Sequence, residues 1–200
     1  MRKREAKVER VTKETEIKLR LVLDGTGQYK IKTGIPFLDH MLSLFTRHGL
    51  FDLEIEAKGD LEVDIHHTNE DVGICLGEAL KKALGDKRGI KRFGFACIPM
   101  DESLGRVVLD ISGRPSLHIK SQEISLRSLK EEKGYIFEDA KQFLLAFITS
   151  SGINMHIDIF QGDDAHHVLE AIFKSLGKAL DEATRLDERI RGIPSTKGAL

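Results

Sequence analysis

The stretch "DIHHTNEDVGICLGEALKKAL" at residues 64–84 returns a hundred residues later as "DAHHVLEAIFKSLGKALDEAT" at 164–184. Laid over one another without gaps, the two agree at 9 of 21 positions, where unrelated segments of this composition agree at about one or two. The matches at Leu76, Gly77, Ala79, Leu80 and Ala83 fall on an apolar helical face and can be explained by packing. The matches at His66, His67 and Glu70 with His166, His167 and Glu170 cannot, because packing has no use for two adjacent imidazoles.

The surroundings repeat as well. Before the first copy, "IPFLDHMLSLFTRHG" has helical spacing, with Pro36 near its start and Gly49 just past its end, and "LFDLEIEA" alternates as a strand. Before the second copy come a helix, "FEDAKQFLLAFITSSG", and a strand, "INMHIDIF". At the start, "AKVERVTKETEIKLRLVLDG" alternates as β structure, "GTG" at 25–27 reads as a hairpin turn, and "YKIKTG" is expected to return from it. "RFGFACIPMDESLGRVVLDISGRPSLHIK" reads as two or three strands with turns at 103–105 and 113–115. The first histidine helix is expected to end near Gly85 and the second near Arg189, and the polar segment 121–133 reads as a connection. Strands in runs, with helices gathered on one face, place the chain in the α+β class. One domain over 1–200 is expected, built of two similar halves at about 1–90 and 91–200.

Composition narrows the function. A formal net charge of -1 gives no global field to attract nucleic acid, and no apolar run reaches the length of a membrane span. "MRKREAKVER" has no apolar core of the kind a secretory signal needs. The 2 cysteines, Cys75 and Cys97, sit among apolar residues without metal-type spacing and read as buried thiols in a reducing compartment. The cytoplasm is the expected location.

On a helix, residues three and four apart share a face, so Glu70 can meet either His66 or His67, and Glu170 either His166 or His167. The two imidazoles of each pair diverge by about 100° around the axis, which suits two different ions better than one. Asp64 and Asp164 are candidate N-caps. His40 in "FLDHML" and His156 in "NMHIDI" bring the set to six histidines and two glutamates, three nitrogens and one oxygen for each of two ions. Such a shell retains open positions, which suits catalysis by Mn(II), Fe(II) or Zn(II). The zinc-peptidase pattern His-Glu-x-x-His is absent. His118 reads as a hydrogen-bonded core histidine. Arg92 in "GIKRFG", Arg114 in "SGRPS", and Ser195 with Lys197 in "PSTKG" stand in turns whose backbone N–H groups could cradle a phosphate, although solvated loop charges account for each singly. A dinuclear hydrolase and a metal-assembled scaffold remain alternatives at this point.

Together, "GIPFLDHMLSLFTRHGLFDLEI", the two "HHxxE" motifs, "KRFG", "PMDESLGRVVLDISGRP" and "PSTKGAL" resemble the imidazoleglycerol-phosphate dehydratases over nearly the whole chain. Departures from that pattern include Asn69, where an apolar residue is expected, and "QGDDA" before the second pair. The resemblance implies two halves, each a four-stranded sheet with helices on one face, as in ribosomal protein S5 domain 2. It implies dehydration of D-erythro-imidazole-glycerol phosphate to imidazole-acetol phosphate in histidine biosynthesis, by a monofunctional carbon–oxygen lyase. Two Mn2+ ions per active site are implied, bound at subunit interfaces by His40, His66, His67, Glu70, His156, His166, His167 and Glu170. Trimers are implied that build a homo-oligomeric cage of 24 subunits, with no nucleic-acid or membrane partner. The family's phosphate grip falls on Arg92, Arg114, Lys174, Ser195 and Lys197. Its acid–base and substrate-contacting groups fall on Glu14, Glu70 and Glu170.

Overall fold

A computed structural model describes residues 4–121, 132 and 134–200. The first half runs β1 (Glu5–Val11), β2 (Thr15–Val22), β3 (Tyr29–Lys32), α1 (Pro36–Gly49), β4 (Asp52–Gly59) and α2 (His66–Leu84). The second repeats the order as β5 (Phe93–Met100), β6 (Ser103–Asp110), β7 (Ser116–Ser121), α3 (Phe137–Ser151), β8 (Asn154–Gln161) and α4 (Ala165–Thr184). The two sheets have matching strand orders, β1-β2-β4-β3 and β5-β6-β8-β7. Each half has the architecture expected of the α+β class.

Alternation sets which face of each sheet is covered. In β2, Ile17, Leu19 and Leu21 are buried while Lys18 and Arg20 point outward, and in β8 Met155, Ile157 and Ile159 are buried while His156 points outward. The inward rows and the four helices form one continuous core.

Three strand-level expectations need correction. The segment 29–32 does not return onto its predecessor as a hairpin; β3 pairs in parallel with β4. A parallel pair needs a crossover, and α1 supplies it by carrying the chain from β3 to β4, which lies between β2 and β3. The turn at 25–27 therefore joins strands that are not neighbours, and Asp52 holds it by accepting from the backbone N–H groups of Thr26 (2.8 Å) and Gln28 (3.1 Å). The β5–β6 hairpin turns at Asp101 and Glu102 rather than at 103–105, which lie in β6, so the region gives three strands.

Helix ends differ slightly from the sequence reading. Gly49 is the last helical residue of α1, and Leu50 takes the left-handed cap, with φ 57°. Helix α4 stops at Thr184, and Leu186 instead bridges to Ile90. Asp164 caps α4 by accepting from the N–H groups of His166 (2.7 Å) and His167 (3.2 Å), while Asp64 accepts only from that of His66 (2.7 Å). Cys75 is buried, and burial pushes its thiol up to about 12, but Cys97 is exposed because it falls on the outward row of β5. The 122–131 stretch of the polar connection, together with Lys133, lies outside the described residues.

The helices pair across the halves: α1 lies on α4, and α2 on α3. Glycine permits both crossings. A Cβ at Gly177 would sit 2.4 Å from the Phe45 carbonyl oxygen, and one at Gly77 would sit 2.5 Å from that of Phe147. Gly177→Ala is therefore expected to cost about 1–3 kcal/mol by overpacking, read as a lowered urea midpoint with unchanged slope.

Candidate active site

The α1–α4 crossing brings His40 from the first half to the start of the second half's histidine helix. His40 Nε2 lies 2.8 Å from Glu170 Oε1, and His166 Nε2 lies 3.1 Å from the same oxygen. Candidate ligand atoms of His40, His166 and Glu170 all lie within 4.8 Å of one another. Two imidazoles and a carboxylate at this spacing suit a divalent transition ion. The other carboxylate oxygen, Oε2, accepts from Lys174 Nζ at 2.5 Å, and Lys174 also lies 3.1 Å from Met100 Sδ. Burial alone would raise the Glu170 carboxyl, but the Lys174 and His40 hydrogen bonds outweigh it and bring it down to about 2. The group is therefore an anion, as a metal ligand must be.

The second histidine of each pair is oriented by a carboxylate from a neighbouring turn. His67 Nδ1 donates to Asp60 at 3.0 Å, with Glu14 Oε2 at 3.7 Å, while His167 Nδ1 donates to Glu102 at 2.8 Å. These bonds raise the pKa of both imidazoles, and Glu102 falls to about 2. A proton held on Nδ1 leaves Nε2 with a free lone pair for a cation, the arrangement that orients metal-ligating histidines.

Asp60 and Glu102 escape a sequence reading. The available signal is positional: Glu14 and Glu102 each immediately precede the second strand of their half, β2 or β6, and each lies beside the second imidazole of its pair.

The two halves are not equal. His66 Nε2 lies 3.7 Å from Glu70 Oε2, and Glu70 is half-exposed. The helices α1 and α3 end alike, with left-handed residues Leu50 and Gly152, each two residues before its strand. Gln142 thus occupies in the second half the position that His40 holds in the first. Asn69, anomalous in sequence, is buried and cross-links the halves: its Nδ2 donates to the Asp139 carbonyl (2.8 Å) and its Oδ1 accepts from Tyr135 (2.9 Å).

His156 does not join either cluster within the chain. It stands on the outer face of its sheet and stacks on His118, with ring centroids 4.5 Å apart. His118 is likewise exposed, not a core residue, because β7 presents it on the same outward row.

The phosphate-type residues gather at the far end of α4. Arg92 accepts a left-handed backbone (φ 75°), donates its N–H to the Ala183 carbonyl, and forms a two-point pair with Asp110 (2.7 and 3.0 Å). That pair raises the arginine's pKa. Its Nη1 holds the Pro194 carbonyl at 2.9 Å, beside Ser195, whose hydroxyl accepts from the Lys197 N–H at 3.2 Å. Gly113, next to Arg114, lies against the chain terminus at Leu200. Lys174 is separate from these four and sits with Glu170.

A model of the family described as imidazoleglycerol-phosphate dehydratase matches residues 33–180. The chain belongs to the imidazoleglycerol-phosphate dehydratase family. It is a dehydratase, a hydro-lyase. The enzyme of that name from Caldanaerobacter subterraneus subsp. tengcongensis is 57% identical over 199 residues, covering 98% of this chain and 100% of that one. A crystal structure of the Pyrococcus furiosus enzyme, in complex with (S)-C348, superposes with a TM-score of 0.81 at 37% identity, covering 96% of this chain and 100% of that one. The Staphylococcus aureus enzyme gives 0.79 at 36%, covering 92% and 99%. In this dehydratase, no helix among the described residues is long and apolar enough to cross a membrane.

Proposed function

We propose that the chain dehydrates D-erythro-imidazole-glycerol phosphate to imidazole-acetol phosphate in the cytoplasm, using two Mn2+ ions per active site in a homo-oligomer of trimers assembled into a 24-subunit cage. The observation that carries this reading is the convergence of His40, His166 and Glu170 from both halves of the chain. The donor set fits a divalent ion, and His66, His67, Glu70 and His167 supply the further imidazole and carboxylate ligands. A bound ion would stabilise negative charge on the substrate's imidazole ring. Glu14, next to His67, faces the reacting arm and moves a proton to or from it; Glu70 and Glu170 are the other acid–base candidates.

Geometry also supports a site shared between copies. From Glu170 to Ala183 the helix rises roughly 20 Å over thirteen residues, while the substrate measures under about 10 Å at ordinary bond lengths. One chain's metal end and its Arg92 end cannot hold one molecule, so the grip of Arg114, Ser195 and Lys197 serves a neighbour's metals. His156, outward on its sheet, can reach a metal only in the same way.

The test is turnover of the imidazole phosphate to the acetol phosphate by the purified protein. Lys197→Ala is expected to raise KM about 10- to 100-fold with kcat changed far less, since a phosphate contact made equally in ground and transition states affects binding alone. A fall in kcat at unchanged KM would remove Lys197 from the phosphate grip.

A further inference from the structure

We infer that Asp71 is a positioning residue that sets the reach of Glu14 toward the substrate. The inference rests on the proposed role of Glu14 and goes beyond it. Asp71 follows Glu70 on α2, one turn after His67 and on the same face, with a largely buried carboxylate that meets the β1–β2 turn. Its Oδ1 accepts from Arg10 Nε at 2.8 Å, and its Oδ2 accepts from the Thr15 hydroxyl at 2.5 Å. Thr15 is 4% exposed.

With its proton committed to the carboxylate, the Thr15 oxygen can only accept from Thr12, whose hydroxyl lies 3.1 Å away. The Thr12 oxygen accepts in turn from the backbone N–H groups of Glu14 (3.1 Å) and Thr15 (2.9 Å). The turn is closed by the Thr12 N–H donating to the Thr15 carbonyl at 2.8 Å. A directed chain of hydrogen bonds thus runs from Asp71 to the backbone of Glu14, and in such chains each bond polarises the next. Its origin lies on the same helix as His67, four residues away, so the distance between Glu14 and His67 is set by one rigid element.

The second half provides an internal control. There the equivalent of Asp71 is Ala171, and the β5–β6 turn is only two residues long, with Glu102 reaching His167 directly at 2.8 Å. The anchor occurs where the turn is longer and its glutamate stands 3.7 Å off its imidazole.

The test is a double-mutant cycle on the Mn2+-loaded protein, with Asp71→Asn, Glu14→Gln and the double variant. Displacement of a reacting group by about 1 Å costs on the order of 10²-fold, so Asp71→Asn is expected to lower kcat about 10- to 100-fold. KM and bound-metal content should stay within about threefold, since neither phosphate grip nor ligand set is touched. In the Glu14→Gln background the same substitution should change kcat less than about threefold, because the group it positions is gone. Thr15→Val, which removes only the hydroxyl link, should reproduce the result if Asp71→Asn fails to fold.

Equal losses in both backgrounds, or a wild-type kcat in both Asp71→Asn and Thr15→Val, would overturn the inference while leaving Glu14 in place. Near-normal turnover by Glu14→Gln alone overturns both, and that outcome is read without touching Asp71.

Discussion

Removing divalent cations is expected to abolish turnover, by on the order of a thousandfold, corresponding to the several kcal/mol that a Lewis acid supplies. Adding Mn2+ back should restore it. His40, His166 and Lys174 all hydrogen-bond Glu170, so a cation at this carboxylate would compete with protons for the same ligand atoms. Metal binding should therefore release protons and weaken steeply as pH falls. It should also raise the unfolding temperature, because the ligands come from helices of both halves and assemble only in the folded state. The check is a paired measurement of metal content and rate through chelation and reloading. Full turnover at verified zero metal would remove the two-metal reading altogether.

The second large effect is recovery of activity from two inactive variants. Glu170→Ala loses the metal end, and the double variant Arg114→Ala/Lys197→Ala loses the phosphate end. At substrate well below KM each alone should be nearly inactive. If one copy's metals face its neighbour's phosphate grip, random co-assembly leaves up to about a quarter of the sites built from an intact metal end and an intact grip. Co-expressed protein should therefore recover a substantial fraction of wild-type rate, and separately assembled protein mixed afterwards should not. No recovery in verified mixed oligomers would require both ends to act within one chain, against the length of α4.

Much of the site was legible because it rests on local pattern. The histidine helices and the Asp164 cap follow from spacing and cap chemistry over a few residues. His40 on a helix was equally plain, but its partner was not, since nothing local states that α1 lies on α4 rather than on its own half's α2. The parallel pairing of β3 is hidden in the sequence for a related reason: a short strand after a glycine turn reads as a hairpin, and only the α1 crossover rules that out. His156 is the instructive case. Its alternation with Met155 and Ile157 already places it outward, away from the cluster of its own chain and free to serve a neighbour's. Asp60, Glu102 and Asp71 are single acidic residues in polar contexts, and only the three-dimensional meeting of turn and helix distinguishes them from solvated charge.

The exchange of helices between halves bears on what one half could do alone. A chain of half this length would carry a first helix with no partner of the right kind except in another copy of itself, so such a half would have to pair with a second copy. Joining the two end to end makes that partnership permanent and frees equivalent positions from having to remain alike. His40 and Gln142 show the difference: equivalent places in the two halves, held by residues with different chemistry.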